Sequence, residues 1–334
     1  MGGIVSQLAS QLTLEEKREL VRELRAAIAG ELAARAEADP AACPRCGCPA
    51  FVRKGRGRDG GQRWLCRGCA RTFSARSGGL LARSKLPASA WMAFAECMAD
   101  ALPLRETARR VGVSLYTAWF MRMRACEVMA ARTPGCRPGR FHVDGLYVRE
   151  SLSGNRRRSE AGMPRPAHRN GRDGRRGRRG RSGESFYVVC GVNELGDCFC
   201  DLGGRGAASS AALRAALAAR VPEGCPVVTD GAYAYRSALE GWARHEPSGP
   251  RMADSLHSRL RAFLAPMRGV STRRLQRYLD WFRYAEAFKR TDADRRELLF
   301  EHEAEGRYRK TRALTHAEPN PGWGWWAEGV STVV

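Results

Sequence analysis

The sequence predicts a mixed α/β chain in which a small cysteine module and a helical segment precede a larger sheet domain. Three observations predict it. Four cysteines between positions 43 and 69 are spaced to meet at one metal ion. Residues 86–133 carry helix signals without strand signals. Beyond Pro134-Gly135 and Pro138-Gly139 the pattern turns to β-branched and aromatic runs broken by turns, then to amphipathic helices.

Residues 1–39 form the first segment. Thr13 and Glu16 make a capping box, and Leu20, Leu24, Ile28 and Leu32 step by four along an amphipathic helix over 14–37. The stripe is too short for a coiled coil and is expected to pack on the rest of the chain rather than on a second copy.

Residues 40–75 hold Cys43-Pro-Arg-Cys46 and Cys66-Arg-Gly-Cys69, a CxxC-x19-CxxC spacing. Each knuckle offers two thiolates, and two knuckles complete a closed tetrahedral Zn²⁺ shell, a structural site. The spacer reads as a hairpin, with Phe51 and Val52 before a Gly-rich turn and Gln62 and Trp64 after it, which is the zinc-ribbon arrangement. Cys48 is a bystander thiol. Arg56 and Arg58 are candidate phosphate contacts, although a solvated hairpin tip has the same composition.

Within 86–133, Leu104 to Arg122 reads as helix-turn-helix. Ala108 permits close helix approach, Gly112 makes the turn, Val113 packs back and Ser114 caps the second helix. That helix is expected to expose Tyr116, Thr117 and the basic Arg122 and Arg124 to DNA.

The sheet domain, 139–292, is expected to run as strands Phe141–Val148, Ser185–Val192 and Asp197–Leu202, a helix over 207–220, a short strand Pro226–Thr229, and helices near 253–267 and 272–290. Asn193-Glu194-Leu195-Gly196 joins the second and third strands as a hairpin turn. Between the first two strands lies an insert, 155–184, with eleven Arg and three acids and no apolar periodicity. Such a segment buries no core and is expected to be a flexible loop. The tail, 293–334, reads as weakly ordered despite Trp323, Trp325 and Trp326.

Composition narrows the function. The 334 residues carry 57 Lys+Arg against 35 Asp+Glu, a net charge of +22. That balance disfavours an ordinary metabolic enzyme and points to a polyanionic partner, most simply nucleic acid. No stretch is apolar enough to span a membrane and no basic-then-apolar leader opens the chain, so a reducing, cytoplasmic location is expected.

Three carboxylates suggest chemistry. Asp144 sits inside an apolar strand and Asp230 ends another, positions that are costly unless paired or liganded. Singly, each also reads as a solvent-facing or turn aspartate. In the following helix, Asp254, His257, Ser258 and Arg261 fall opposite the stripe Leu256, Leu260, Phe263 and Leu264. Glu286 is a rival third acid. Three acids on a basic α/β chain with two DNA-binding signatures imply phosphodiester chemistry assisted by Mg²⁺ or Mn²⁺.

Three stretches carry a resemblance. They are Cys43…Cys69 followed by Arg71-Thr-Phe-Ser74; Val143-Asp144-x-x-Tyr147-x-x-Glu150-Ser151-x-x-Gly154 followed by the basic insert; and Ser255-x-His257-Ser258-x-Leu260-Arg261 leading to Gly269-Val-Ser-Thr272 and Tyr278-Leu-x-Trp281-Phe282. With Asp230-Gly231 and Tyr235 they resemble bacterial insertion-sequence transposases of the DDE class with an N-terminal zinc ribbon. The resemblance implies an RNase H-like catalytic domain, binding of double-stranded DNA at terminal inverted repeats and target, and a homo-oligomer on DNA. It assigns Asp144, Asp230 and Asp254 as catalytic metal ligands, with His257 and Arg261 assisting at phosphate. Two positions depart from the family pattern: Gly145 stands where an acid is usual, and Asp254 where Glu or Asn is usual. A non-catalytic DNA-binding regulator with the same ribbon and helix-turn-helix is the competing class, and the carboxylate set separates the two.

Overall fold

The computed structural model describes residues 7, 10–57, 60–79, 84–149, 151, 185–291 and 295–305. They divide into two compact units, with the boundary inside one helix between Met121 and Arg122. The insert 155–184, Arg58 and the tail beyond 305 with its tryptophans lie outside the described residues.

The first unit opens on α1 (Leu14–Glu37). The Glu16 amide donates to Thr13 Oγ1 at 3.3 Å and the Thr13 amide to Glu16 Oε2 at 2.8 Å, the expected capping box. The apolar stripe behaves differently from expectation: Leu20 is 39% and Leu24 54% exposed, although α1 packs against other helices. A four-residue step drifts by about 40° around a helix, so the stripe winds away from any one neighbour.

Next come β1 (Phe51–Arg56), β2 (Gln62–Cys66) and β3 (Thr72–Ser74), an antiparallel sheet in that order. β3 extends the expected hairpin because Phe73 stacks on Trp64 at 5.9 Å, with Phe51 edge-on to both. Helices α2 (Ala88–Ala99), α3 (Leu104–Val111) and α4 (Leu115–Arg132) follow. Gly112 adopts φ +72° between α3 and α4, the Val113 amide donates to the Ala108 carbonyl, and Ser114 Oγ accepts from the Thr117 amide at 3.1 Å. The turn is thus built as its residues require. The tail is more ordered than expected near its start. Arg295–Glu305 forms a helix packed on α2, burying Leu299 and Phe300, with Arg296 forked onto Asp100.

The second unit is a five-stranded sheet. Its strands are β4 (Phe141–Arg149), β5 (Ser185–Asn193), β6 (Cys198–Arg205), β7 (Val227–Val228) and β8 (His245–Glu246), in spatial order β6-β5-β4-β7-β8. The first three are antiparallel; β7 runs parallel to β4, and β8 to β7. Gly196 at φ +85° closes the β5–β6 turn. β5 is buried along its whole length, as a central strand covered on both faces must be. One face packs Leu146, Val188 and Cys200 against α7 (Arg251–Leu264) and α8 (Leu275–Ala287). The other packs Phe141, Val143 and Val189 against α5 (Ser210–Ala218) and α6 (Tyr233–Leu239). The sequence reading missed α6 and β8, both of which are short.

Arg122 and Arg124 correct the expectation of a basic DNA-facing helix. Both are buried, Arg122 to 1% exposure. Arg122 Nη2 donates to the Leu102 carbonyl at 2.7 Å, and its guanidinium lies 5.0 Å from the Trp281 ring centre and 6.0 Å from that of Tyr278. The physical reason is helical phase: Arg122 follows the buried Ala118 by four residues, so it shares the inward face. Thr117 is half-buried with its hydroxyl against Ser114 Oγ, whereas Tyr116 is 64% exposed and leans on Trp119.

A buried guanidinium that satisfies a carbonyl and stacks on two rings is structural. Arg122→Ala should therefore lower unfolding stability by about 2–4 kcal/mol in a urea titration. Tyr116→Ala should stay within about 0.5 kcal/mol of wild type. An unchanged midpoint for Arg122→Ala would contradict this placement.

Candidate metal centres

The first unit holds a four-thiol cluster. Cys43, Cys46, Cys66 and Cys69 place their sulfurs within 4.8 Å of one another. Cys43 Sγ stands 3.8 Å from Cys69 Sγ and Cys46 Sγ 3.5 Å from Cys66 Sγ. The edge of a tetrahedron with Zn–S near 2.3 Å is about 3.8 Å, so the four thiols fit a zinc ion. The knuckle backbone prepares the charge: the Cys69 amide points at Cys66 Sγ at 3.5 Å and holds that thiol down at about 6. Gly68 leaves room for Cys48, whose Cβ would stand 3.0 Å from a Cβ at position 68. Cys48 is not among the four. Arg56 is exposed on β1 beside this cluster's sheet.

The second unit gathers a different donor set. Asp144, Asp254 and His257 each place a ligand atom within 4.8 Å of the others. Period-two alternation along β4 puts Asp144 on the face of Leu146, under α7. From α7, Asp254 and His257 lie one turn apart and come down over that face. His257 Nδ1 is 3.9 Å from Asp144 Oδ2. Burial raises the Asp144 pKa above its ordinary value and lowers that of His257, which keeps the imidazole neutral and able to ligate.

His257 also corrects the expected helix face. It is 4% exposed and shares the buried stripe with Ala253, Leu256 and Leu260, while Asp254, Ser258 and Arg261 are exposed. Residue type suggested an outward imidazole; the i, i+3, i+4 geometry places it beside the core.

Asp230 is not part of this three-residue cluster. It is exposed, and its Oδ1 accepts the Ala232 amide at 2.9 Å in a local turn. The strand that leads to it pairs with β4 only at Phe141–Val227 and His142–Val228 and ends two residues before Asp230. The Asp230 charge is felt at Asp144, whose carboxyl it pushes upward. Glu286, the rival acid, belongs to another interaction: it accepts from Arg259 at 3.1 Å and Lys289 at 2.6 Å.

Gly145 has a clear structural cause. On the opposite face of β4 a Cβ at this position would fall inside the Tyr187 ring. Tyr187 is buried, and its hydroxyl bonds the Tyr235 hydroxyl at 2.5 Å. Sequence reasoning noticed the glycine but not its partner. The motif stretches around Ser151 and Thr272 also meet: the Ser151 amide donates to Thr272 Oγ1 at 2.7 Å and the Thr272 amide to the Ser151 carbonyl at 3.0 Å.

Two outcomes follow from these geometries. Metal analysis of the purified chain should find one tightly held zinc, absent after Cys43→Ser with Cys46→Ser, together with a shift in Trp64 emission; a metal-free wild type would contradict the centre. Gly145→Ala should cost about 1–3 kcal/mol by overpacking. In a double-mutant cycle with Tyr187→Leu the two changes should couple by more than about 0.5 kcal/mol, and additive effects would remove the Tyr187 explanation. Compared with protein-family models, curated proteins and solved structures, the chain finds no match.

Proposed function

We propose that the chain is a DNA transposase of the DDE class, with a zinc ribbon and helix-turn-helix ahead of an RNase H-like domain that cuts and joins phosphodiester bonds. The observation that carries this reading is the convergence of Asp144 and Asp254, far apart in sequence, with the Asp230 charge felt at Asp144. The sheet supports it: three antiparallel strands followed by two parallel strands on the β4 side, with helices on both faces.

Asp144 and Asp254 bring oxygen donors suited to a hard divalent cation. When bound, Mg²⁺ or Mn²⁺ supplies Lewis-acid activation of the attacking oxygen and charge relief at the leaving one. Asp230 would have to give up its turn hydrogen bond with the Ala232 amide to join that donor set. Arg261, exposed one turn beyond His257, offers its guanidinium to a scissile phosphate. The net charge of +22 gives the duplex a broad attractive field, and Arg56 and the exposed Tyr116 are the contacts proposed on the ribbon and recognition helix. Two element ends must be held together for strand transfer, so the active form is a homo-oligomer on terminal inverted repeats.

The test separates chemistry from folding and binding. Asp144→Asn and Asp254→Asn should each reduce divalent-dependent cleavage of element-end DNA by about a thousandfold or more, with DNA affinity unchanged. Asp144 has its folded-state pKa raised above 3.8, so the fold favours its protonated form and stability declines as pH rises through that raised value. Asp144→Asn removes the decline, and the metal-free variant should be at least as stable as wild type at pH 7. Cleavage undiminished in both variants would overturn the enzyme reading and leave a DNA-binding regulator.

A further inference from the structure

His257 is placed by the structure where no phosphate-assisting role requires it. Only 4% exposed, it sits under α7 beside Leu256 and Leu260 rather than on the solvent face with Arg261. Its Nδ1 is 3.9 Å from Asp144 Oδ2, too far for a hydrogen bond, and its Nε2 is buried with no hydrogen-bond partner. The ring meets the backbone of Asp144 through a hydrogen bond, but the buried Nε2 carries a desolvation cost with no partner to offset it. A cation shared with Asp144 and Asp254 offsets it, since all three ligand atoms lie within 4.8 Å of one another.

We infer that His257 is itself a ligand of the divalent cation, making an Asp₂His donor set that favours Mn²⁺ over Mg²⁺. The inference rests on the catalytic-site reading above and goes beyond it by reassigning His257 from the phosphate to the metal. The chemical reason is ligand softness. Mg²⁺ takes oxygen ligands and gives up its waters reluctantly, whereas Mn²⁺, a larger and softer transition ion, accepts an imidazole nitrogen more readily than Mg²⁺ does. Asp254 brings one carboxylate from the exposed turn of α7 and Asp144 the other from the sheet, so the nitrogen is the donor that separates the two ions.

The test uses the full-length, zinc-loaded protein with Mn²⁺ as the probe. Mn²⁺ titration followed by electron paramagnetic resonance should give one site per chain, and Mg²⁺ should compete at least about tenfold less well than Mn²⁺ itself. Pulsed measurement on that site should show a ¹⁴N coupling that changes with ¹⁵N-histidine labelling, a readout that needs no variant. His257→Gln should abolish the coupling, weaken Mn²⁺ binding by about tenfold or more and leave Mg²⁺ binding nearly unchanged. A wild-type site without nitrogen coupling, or a coupling that survives His257→Gln, overturns the inference. Nitrogen-coupled Mn²⁺ with no DNA cleavage supports the ligand assignment and defeats the transposase reading. Cleavage supported by a site without nitrogen coupling does the reverse.

Discussion

The second unit depends on carrying the Asp144 charge into the face of an otherwise apolar sheet. Asp144 pairs with Cys190 in the middle of the long β4–β5 ladder, and β7 pairs with the start of β4, so the strand holds Asp144 in place. Its side chain retains 29% exposure, and burial raises its pKa. A position of this kind survives when neighbouring groups need it. The helix that crosses above it supplies both a second carboxylate and an imidazole, and the apolar contacts of Leu256 and Leu260 with the sheet fix the height at which they arrive. Removing that packing would disperse the donors as surely as mutating one of them.

The opposite face of the same strand is shaped to hold it. Gly145 admits the Tyr187 ring flat against the backbone, and the phenol reaches Tyr235 on α6, just beyond Asp230 in sequence. The carboxylate on one face and the glycine on the other are thus consecutive residues with opposite duties. A larger residue after Asp144 has no room while Tyr187 occupies that space. On the α7 side, the paired hydrogen bonds between Ser151 and Thr272 tie the end of β4 to the start of the segment leading into α8.

Much of this was legible in the sequence because local rules dominate there. Each CxxC knuckle, the Thr13–Glu16 box, the Gly112 turn with its Ser114 cap and the Asn193–Gly196 hairpin are set by residues within a few positions of one another. The central strands were readable because β5 runs without a charged or strongly polar residue from Phe186 to Val192 and β4 alternates at its start. Arg122 misled because charge usually marks a surface, whereas this side chain spends its length on Trp281 and Leu102. His257 misled for the same reason at the edge of an amphipathic stripe. The short α6 and β8 carry too few residues for periodicity to register, and the parallel pairing of β4 with β7 joins residues far apart in sequence that local signals cannot link.

The two centres have different characters. The thiol cluster is closed, with four sulfurs at tetrahedral separations and aromatic packing from Trp64 and Phe73, which suits a structural ion. The Asp144 cluster is open on the side of the exposed Asp254. The most direct measurement of the central claim is anomalous diffraction from crystals of the protein grown with Mn²⁺. The account predicts a manganese peak bounded by Asp144, Asp254 and His257, on the α7 face of β4. A peak remote from all three, or none at saturating Mn²⁺, would contradict it.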